Sequence, residues 1–364
     1  MQYRTLPHGG VKISVIGMGM GYIHEASDDE IEETLRYAMD AGVNYFDFVP
    51  SQASPFPAYA RAFAGQRERV YLQVHLGADY SSGKYAWTRD LSTIKREFES
   101  RLELLDTDFA DFGFIHCMDD PADFESSMKN GLWDYALDLK RQGVIKHLSF
   151  SSHEPAIAQR FLDTGEIDLC MLAVNPAYDY SQGSYGIGTH SERMDLYRRC
   201  EREGVGISVM KCFGGGQLLD ANRSSFGQAL TKVQCMAYSL GRPGVLCVLP
   251  GVRGLADLKA CLAFLDATET ERDYSVISTF APQNAVGNCV YCNHCQPCPA
   301  DLNVGLINKY YDLARGGDTI AAGHYDKLPL HASDCIHCRH CNERCPFSVE
   351  QSERMNEIAA YFGK

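Results

Sequence analysis

The sequence has no apolar run of about eighteen residues, which excludes a helix spanning hydrocarbon. Basic residues are in deficit: 34 Lys and Arg stand against 47 Asp and Glu, a formal net charge of −13. With no basic stripe, a nucleic-acid footprint is excluded as well. Behind Arg4 there is no apolar segment, so no secretory signal is expected. There is no low-complexity tract, and with 45% hydrophobic residues the composition is that of a soluble globular protein. The dinucleotide fingerprint G-x-G-x-x-G is also missing. The early glycines run Gly17, Gly19, Gly21, and no ribose-binding acid follows at the required interval. No flavin motif is visible either. Cysteine is abundant by contrast, with 15 in 364 residues. Without an export signal, these argue for a reducing interior with thiolates kept for metal, hence a cytoplasmic protein.

Eight of the cysteines fall in two short C-terminal runs. The first is Cys289, Cys292, Cys295 and Cys298, closed by Pro299. The second is Cys335, Cys338, Cys341 and Cys345, closed by Pro346. Three thiolates at every third residue can wrap one cubane face, and a fourth just beyond, followed by Pro, ends the loop. This is the ferredoxin pattern, in which the fourth cysteine of each run ligates the other cluster. By that rule Cys289, Cys292, Cys295 and Cys345 hold one [4Fe-4S] cluster, and Cys335, Cys338, Cys341 and Cys298 the second. Structural zinc is the competing chemistry, since paired C-x2-C elements also make zinc ribbons. Zinc needs four ligands from two separated knuckles, whereas each run here supplies four by itself.

Upstream of the tail, apolar strands alternate with amphipathic helices. After the strand at residues 11–21, strand-like runs recur at 43–49, 70–76, 109–116, 147–151, 168–175, 206–211 and 245–250. Ser27 to Glu30 reads as a capping box opening a helix that Gly42 stops. Leu91, Ile94, Phe98, Leu102 and Leu105 form one helical stripe. Leu132, Tyr135, Ala136 and Leu139 form another, ended by Gly143. Eight such units over this length suit a closed (β/α)8 barrel better than an open sheet. The expected fold is α/β: a TIM barrel over residues 1–280, followed by a small two-cluster ferredoxin-like domain over 281–364.

Function in such a barrel sits where the strands end, at the C-terminal face. The polar residues there are Asp47, His75, His116, Ser151, Asn175 and Lys211. An acid, two imidazoles and an ammonium converging on one mouth can move protons to or from a carbonyl. Cys117 and Cys212 follow His116 and Lys211 directly, so alternation turns them away from the interior. They are read, with Cys170, Cys200, Cys235, Cys247 and Cys261, as buried packing residues. The stretch 181–189, rich in Gly, Ser and Tyr, reads as a lid or a plain surface loop.

Several of these segments carry a family resemblance. They include residues 4–21 and 42–47, Phe114-Ile115-His116, residues 143–147 with Ser151-Ser152-His153, Asn175-Pro176, residues 206–211 with Gly214–Gly216, and Leu249-Pro250-Gly251. Residues 1–270 resemble the aldo-keto reductases, a barrel family, and the whole chain resembles a bacterial branch with a C-terminal ferredoxin-type domain. The resemblance implies carbonyl reduction by NAD(P)H through an Asp, Tyr, Lys, His tetrad. Asp47 matches the Asp and His116 the His. Gln52 stands where the tyrosine falls, and His75 where the lysine falls. The ring-stacking tyrosine is replaced by Met210, the carboxamide-holding glutamine by Met171, and a 2′-phosphate reader by Asp257, whose charge would repel that phosphate. For cofactor phosphate there remain the bare backbone of Gly214, Gly215 and Gly216, with Ser151 at the rim and Arg253 as counter-charge.

Hydride carries two electrons, while each cluster passes one. The expectation is an iron–sulfur oxidoreductase acting on a small organic substrate at the barrel mouth. Two [4Fe-4S] clusters would pass electrons from a ferredoxin- or flavodoxin-like donor. Asp47, His75, His116 and Lys211 would do the proton chemistry, with flavin or NAD(P)H open as a further cofactor. Two rivals stand beside it: an NAD(P)H-dependent carbonyl reductase with a non-standard tetrad, and a non-catalytic redox sensor or electron carrier.

Overall fold

A computed structural model describes residues 1–48, 54–79, 86–180, 190–224, 226, 228–279, 286, 287, 289, 294–315, 321–326 and 328–364. The chain opens with an antiparallel hairpin, β1 (Tyr3–Thr5) and β2 (Lys12–Ser14). Leu6 and Ile13 from this hairpin are fully buried and form part of the inner barrel core.

Eight strands then make one parallel sheet in sequence order. They are β3 (Met18–Gly19), β4 (Tyr45–Phe48), β5 (Tyr71–Leu76), then, after a short antiparallel pair β6 (Ala78–Asp79) and β7 (Ala86–Trp87), β8 (Ala110–Ile115), β9 (Ile145–Ser152), β10 (Leu169–Ala173), β11 (Gly206–Met210) and β12 (Val245–Val248). Parallel bridges Ile16–Val248 and Gly19–Gly251 join the first strand to the last, so the sheet closes on itself. All eight runs expected from sequence contain strands of the sheet; seven are shorter than expected, and the run expected at 147–151 extends to Ile145–Ser152.

The helices between them are α1 (Asp28–Asp40), α2 (Phe56–Phe63), α3 (Leu91–Leu104), α4 (Pro121–Ser127), α5 (Leu132–Gln142), α6 (Pro155–Leu162), α7 (Pro176–Tyr180), α8 (His190–Glu203), α9 (Lys232–Leu240), α10 (Leu255–Leu262) and the short α11 (Glu269–Arg272). Their apolar stripes form as the 3.6-residue period requires. Ile94, Phe98 and Leu102 of α3 and Leu132, Ala136 and Leu139 of α5 are buried. Ser27 caps α1 by accepting the Glu30 N–H at 3.3 Å. The return bond of the expected capping box is not found among the described residues; the Glu30 side chain instead lies against Gly254.

Two cores result. Tyr45, Phe112, Phe114, Leu169, Met171 and Leu249 fill the barrel interior, and a larger core lies between strands and helices. The tail adds α12 (Val304–Arg315), α13 (Ala321–Asp326), α14 (His340–Arg344) and α15 (Gln351–Phe362) around a third core of Leu302, Ile307, Tyr325, Met355 and Ile358. It packs along the outside of α8: Lys309 pairs with Glu201 near one end, and Phe347 enters the barrel's outer core beside Tyr180 at the other. No helix among the described residues is long and apolar enough to cross a membrane.

Candidate active site and candidate metal centre

Asp47 is the next-to-last residue of β4 and lies in register with Gln73 of β5. Gln73 and His75 are two residues apart, so both face the interior. Tyr45 donates its hydroxyl to Gln73 Oε1, which leaves the amide nitrogen to donate to Asp47 Oδ1 at 2.7 Å. His75 Nε2 lies 2.8 Å from the same carboxylate oxygen, and His75 Nδ1 lies 2.9 Å from His116 Nδ1. The two imidazoles meet nearly edge to face at 84°, their centroids 4.8 Å apart. This is a continuous chain, Asp47–His75–His116, with all three members buried.

Burial raises the Asp47 carboxyl above its ordinary value, although hydrogen bonding and charge from His75 oppose it. Burial also holds His116 well below the usual imidazole range, reinforced by His75 and Arg89. The His75–His116 contact is therefore one in which one ring nitrogen donates and the other accepts. With Asp47 accepting from His75 Nε2–H, His75 Nδ1 accepts from His116 Nδ1–H. Moving each proton one step along reverses both bonds and leaves Asp47 protonated.

Lys211 does not join this chain. Its Nζ lies 2.8 Å from His153 Nε2, and His153 Nδ1 lies 2.8 Å from Asp119 Oδ2. Asp119 also accepts the His153 backbone N–H at 2.6 Å and the Ser152 hydroxyl at 3.1 Å. Burial alone would raise Asp119, but these donors outweigh it and hold the acid down at about 2. Burial lowers Lys211 to about 8 against the pull of Cys117 and Asp119. The two chains adjoin, since His116 feels the charges of Asp119 and His153.

Cys117 departs from its expected place. It is half-buried at the mouth, with Sγ 3.6 Å from Asp119 Oδ2. Alternation does not apply to it because the chain has left β8 and turned into the left-handed region, φ 46°. Cys212 is buried as expected. Lys211, just past β11, is also left-handed, at φ 57°. Both turns are pinned: Ser151 Oγ accepts the Cys117 N–H at 2.8 Å, and Asn175 Nδ2 donates to the Lys211 carbonyl at 2.8 Å. Arg89 grips the His116 and Cys117 carbonyls at 3.1 and 2.9 Å. Ser151 and Asn175 thus shape the rim. Cys117, Asp119 and His153 offer ligand-type atoms within 4.8 Å of one another. The Lys211 ammonium on the same imidazole makes this an ion-paired chain rather than a cradle for a second cation.

Arg253 is not free to receive a phosphate. Its Nε lies 2.8 Å from Asp257, which also meets Lys232 at 3.2 Å. The expected repulsion by Asp257 is cancelled by the same pairs. Gly214, Gly215 and Gly216 are consecutively left-handed, at φ 59°, 65° and 84°, and space is open beyond Gly215 and Gly216. Tyr59, no substitute for the missing tyrosine, is buried among Phe48 and Phe56 in the outer core. Gln52, Cys292 and the 181–189 stretch lie outside the described residues. Sequence reasoning missed Asp119, Gln73 and Arg89 and gave His153 no role. His153 lies one residue past the end of β9, and a polar residue just beyond a barrel strand was the available signal.

In the tail, Cys298 leaves its own run and joins Cys335, Cys338 and Cys341 around one small cavity walled by Leu302, Val304 and Met355. Burial and the neighbouring thiols raise Cys335 and Cys341 above their ordinary values. Such crowding disfavours thiolates unless a cation neutralises them, so the donor set fits a metal centre. Backbone N–H groups of His337 and Val349 point at Cys335 Sγ and Cys345 Sγ, each at 3.4 Å. Cys289 is buried in the barrel's outer core with Cys345 packed against it, while Cys295 is buried in the tail core.

A closed parallel barrel with acid, imidazole and lysine side chains at its C-terminal mouth has the layout of a barrel enzyme. Residues 15–232 match the model of the aldo/keto reductase family, and the chain belongs to that family, whose members are oxidoreductases acting on small molecules. Protein tas of Escherichia coli is 21% identical over 249 residues, covering 60% of this chain and 70% of that protein. Among solved structures, aldo-keto reductase AKR11C1 from Bacillus halodurans superposes with TM-score 0.60 at 19% identity, covering 75% of this chain and 94% of its own. An aldo/keto reductase from Klebsiella pneumoniae, solved with NADP and acetate, gives TM-score 0.54 at 19% identity, covering 75% and 93%.

Proposed function

We propose that this chain is an iron–sulfur oxidoreductase that acts on a small carbonyl-type substrate at the barrel mouth. The barrel would occupy residues 1–280 and a two-cluster metal domain residues 281–364. The observation that carries this reading is the gathering of Cys298 with Cys335, Cys338 and Cys341 around one cavity. A ligand crossing from the other run is the ferredoxin arrangement. Two [4Fe-4S] clusters, when bound, would supply single electrons delivered by a ferredoxin- or flavodoxin-like donor. Cys289, Cys292, Cys295 and Cys345 would hold the first, and Cys298, Cys335, Cys338 and Cys341 the second.

At the mouth, the residues supply the proton. His116 ends a chain that can pass a proton inward to Asp47 or outward from it, by paired tautomer shifts at 2.9 and 2.8 Å. Because Asp47 is raised by burial, it can hold the proton that the chain exports. His75 occupies the place of the family's lysine and keeps that lysine's carboxylate partner.

Anaerobic material should contain roughly eight irons and matching sulfide per chain. Replacing Cys335 and Cys341 by Ser should remove about half of the iron and abolish substrate reduction. Stoichiometric zinc, or full-rate NADPH-driven carbonyl reduction by that variant, counts against the proposal. The second outcome belongs to a conventional NAD(P)H reductase, a reading favoured by the left-handed Gly214–Gly216 turn open to an anion. Titration of NADPH against the full chain separates the two, because only that reading requires tight nucleotide binding.

A further inference from the structure

We infer that Lys211 captures carbonyl substrates covalently, as a Schiff base formed at the barrel mouth with His153 as its proton acceptor. The inference is independent of the iron–sulfur reading, because imine formation transfers no electrons.

The geometry is that of an activated nucleophile: a reactive group, a base within hydrogen-bond reach, and a third group orienting the base. Lys211 Nζ lies 2.8 Å from His153 Nε2. Asp119 Oδ2 lies 2.8 Å from His153 Nδ1 and takes the N–H there, so the lone pair of Nε2 faces the lysine. Asp119 itself is fixed by the His153 backbone N–H and the Ser152 hydroxyl. Lysine is kept at the very end of β11, where barrel substrates bind. It is held there in a left-handed conformation at φ 57° that an ordinary side chain adopts only under constraint. The constraint is visible: Asn175 holds the Lys211 carbonyl from the neighbouring strand end. Part-burial lowers the amine to about 8, so a substantial neutral fraction exists near neutral pH.

The chemistry balances without an added reagent. The Lys211 ammonium passes one proton to His153 Nε2, and the neutral amine adds to the carbonyl carbon. The carbonyl π bond breaks onto oxygen, which takes a proton from the newly bonded nitrogen and becomes a hydroxyl. His153 returns its proton to that hydroxyl, which leaves as water while the nitrogen lone pair forms the C=N bond. The product is a protonated imine, a better electrophile than the carbonyl it replaces. Hydrolysis by the reverse path regenerates the lysine.

The test uses the full chain, prepared anaerobically, with propanal as probe and cyanoborohydride to fix any imine as a propyl-lysine. Adducts are located by peptide mass spectrometry as a function of time and pH. Lys129, whose side chain is 77% exposed, serves as the internal reference. Lys211 is expected to label well ahead of Lys129 at pH 7, with a rate rising through about pH 8. His153→Gln should slow Lys211 labelling roughly a hundredfold, the scale of one lost acid–base partner, and leave Lys129 unchanged. Labelling of Lys211 no faster than Lys129 in the unmodified protein overturns the inference. So does equal Lys211 labelling in a folded His153→Gln variant.

Discussion

Asp47 is buried and Asp119 part-exposed in the same mouth, and their surroundings drive them in opposite directions. Asp47 receives one amide and one imidazole, too little to offset its burial, and its affinity for a proton rises. Asp119 receives three donors and stays ionised down to about pH 2. A site with one carboxyl able to hold a proton and another fixed as an anion has the separation of roles that acid–base work uses. His116 gives a measurable consequence. Its folded value lies well below the unfolded one, so the unfolded chain binds this proton first as the pH falls. Its contribution to stability is complete above the unfolded imidazole value of about 6.5 and is lost progressively below it. Urea unfolding between pH 7 and pH 5 should show stability falling, with a shallower fall in His116→Asn. A second residue outside the mouth tests the price of burying charge. Asp179 is fully enclosed and holds Arg193 Nε at 3.0 Å, the Tyr197 hydroxyl at 2.8 Å and the Tyr238 hydroxyl at 2.7 Å. Asp179→Ala strands a buried guanidinium and should cost about 3–5 kcal/mol in urea unfolding. Tyr238→Phe, losing one bond, should cost about 1–2 kcal/mol.

At the scale of elements, the barrel was legible because each strand is a run of apolar, β-branched or aromatic residues bounded by Gly or polar turns, as at residues 70–76 and 206–211. A parallel strand buried on both faces leaves that trace. The tetrad positions were legible for the same reason, since Asp47, His75 and His116 sit at strand ends. The second chain was not. Asp119 and His153 lie beyond β8 and β9, where periodicity has ended and only three-dimensional closure brings the loops together. Cys117 was misread for the same cause, its alternation broken by one left-handed residue. Gly17 shows what a near-motif meant. The Gly17–Gly19–Gly21 spacing departs from the dinucleotide fingerprint, and packing explains its first glycine: a Cβ on Gly17 would lie 2.8 Å from the Tyr45 carbonyl oxygen and also strike the Leu249 side chain. Glycine is required there because first and last strands meet at this seam. Gly17→Ala should therefore destabilise the protein by about 1–3 kcal/mol, as overpacking does. Thr231→Ala, which removes a complete capping box from α9, should cost about 1 kcal/mol. Thermal or urea unfolding of the two variants distinguishes seam strain from cap loss by its size.

The whole molecule is a barrel that stands on its own two cores and a tail whose core is partly made of cysteine. Cys295 and Cys341 belong to the tail's apolar cluster, so emptying the proposed metal centre would remove organisation as well as the redox chemistry proposed for it. Metal-binding free energy in such a site is folding free energy. Hydrogen exchange after chelation and air oxidation should therefore show residues 294–364 losing protection while β5 and β8 through β11 keep theirs. Docking of the tail depends on one side chain more than on its ion pairs. Phe347 is 1% exposed, 5.1 Å from the ring of Tyr180 and stacked on His190 at 6.4 Å. The Arg198–Asp312 pair, between α8 and α12, spans 3.3 Å between partly exposed groups and is worth about 1 kcal/mol or less. Phe347→Ala should cost about 3–5 kcal/mol, and Asp312→Asn far less. If chelation unfolds barrel and tail together, or if Asp312→Asn loosens the tail as much as Phe347→Ala does, the tail is no separately organised unit held by metal and one aromatic anchor.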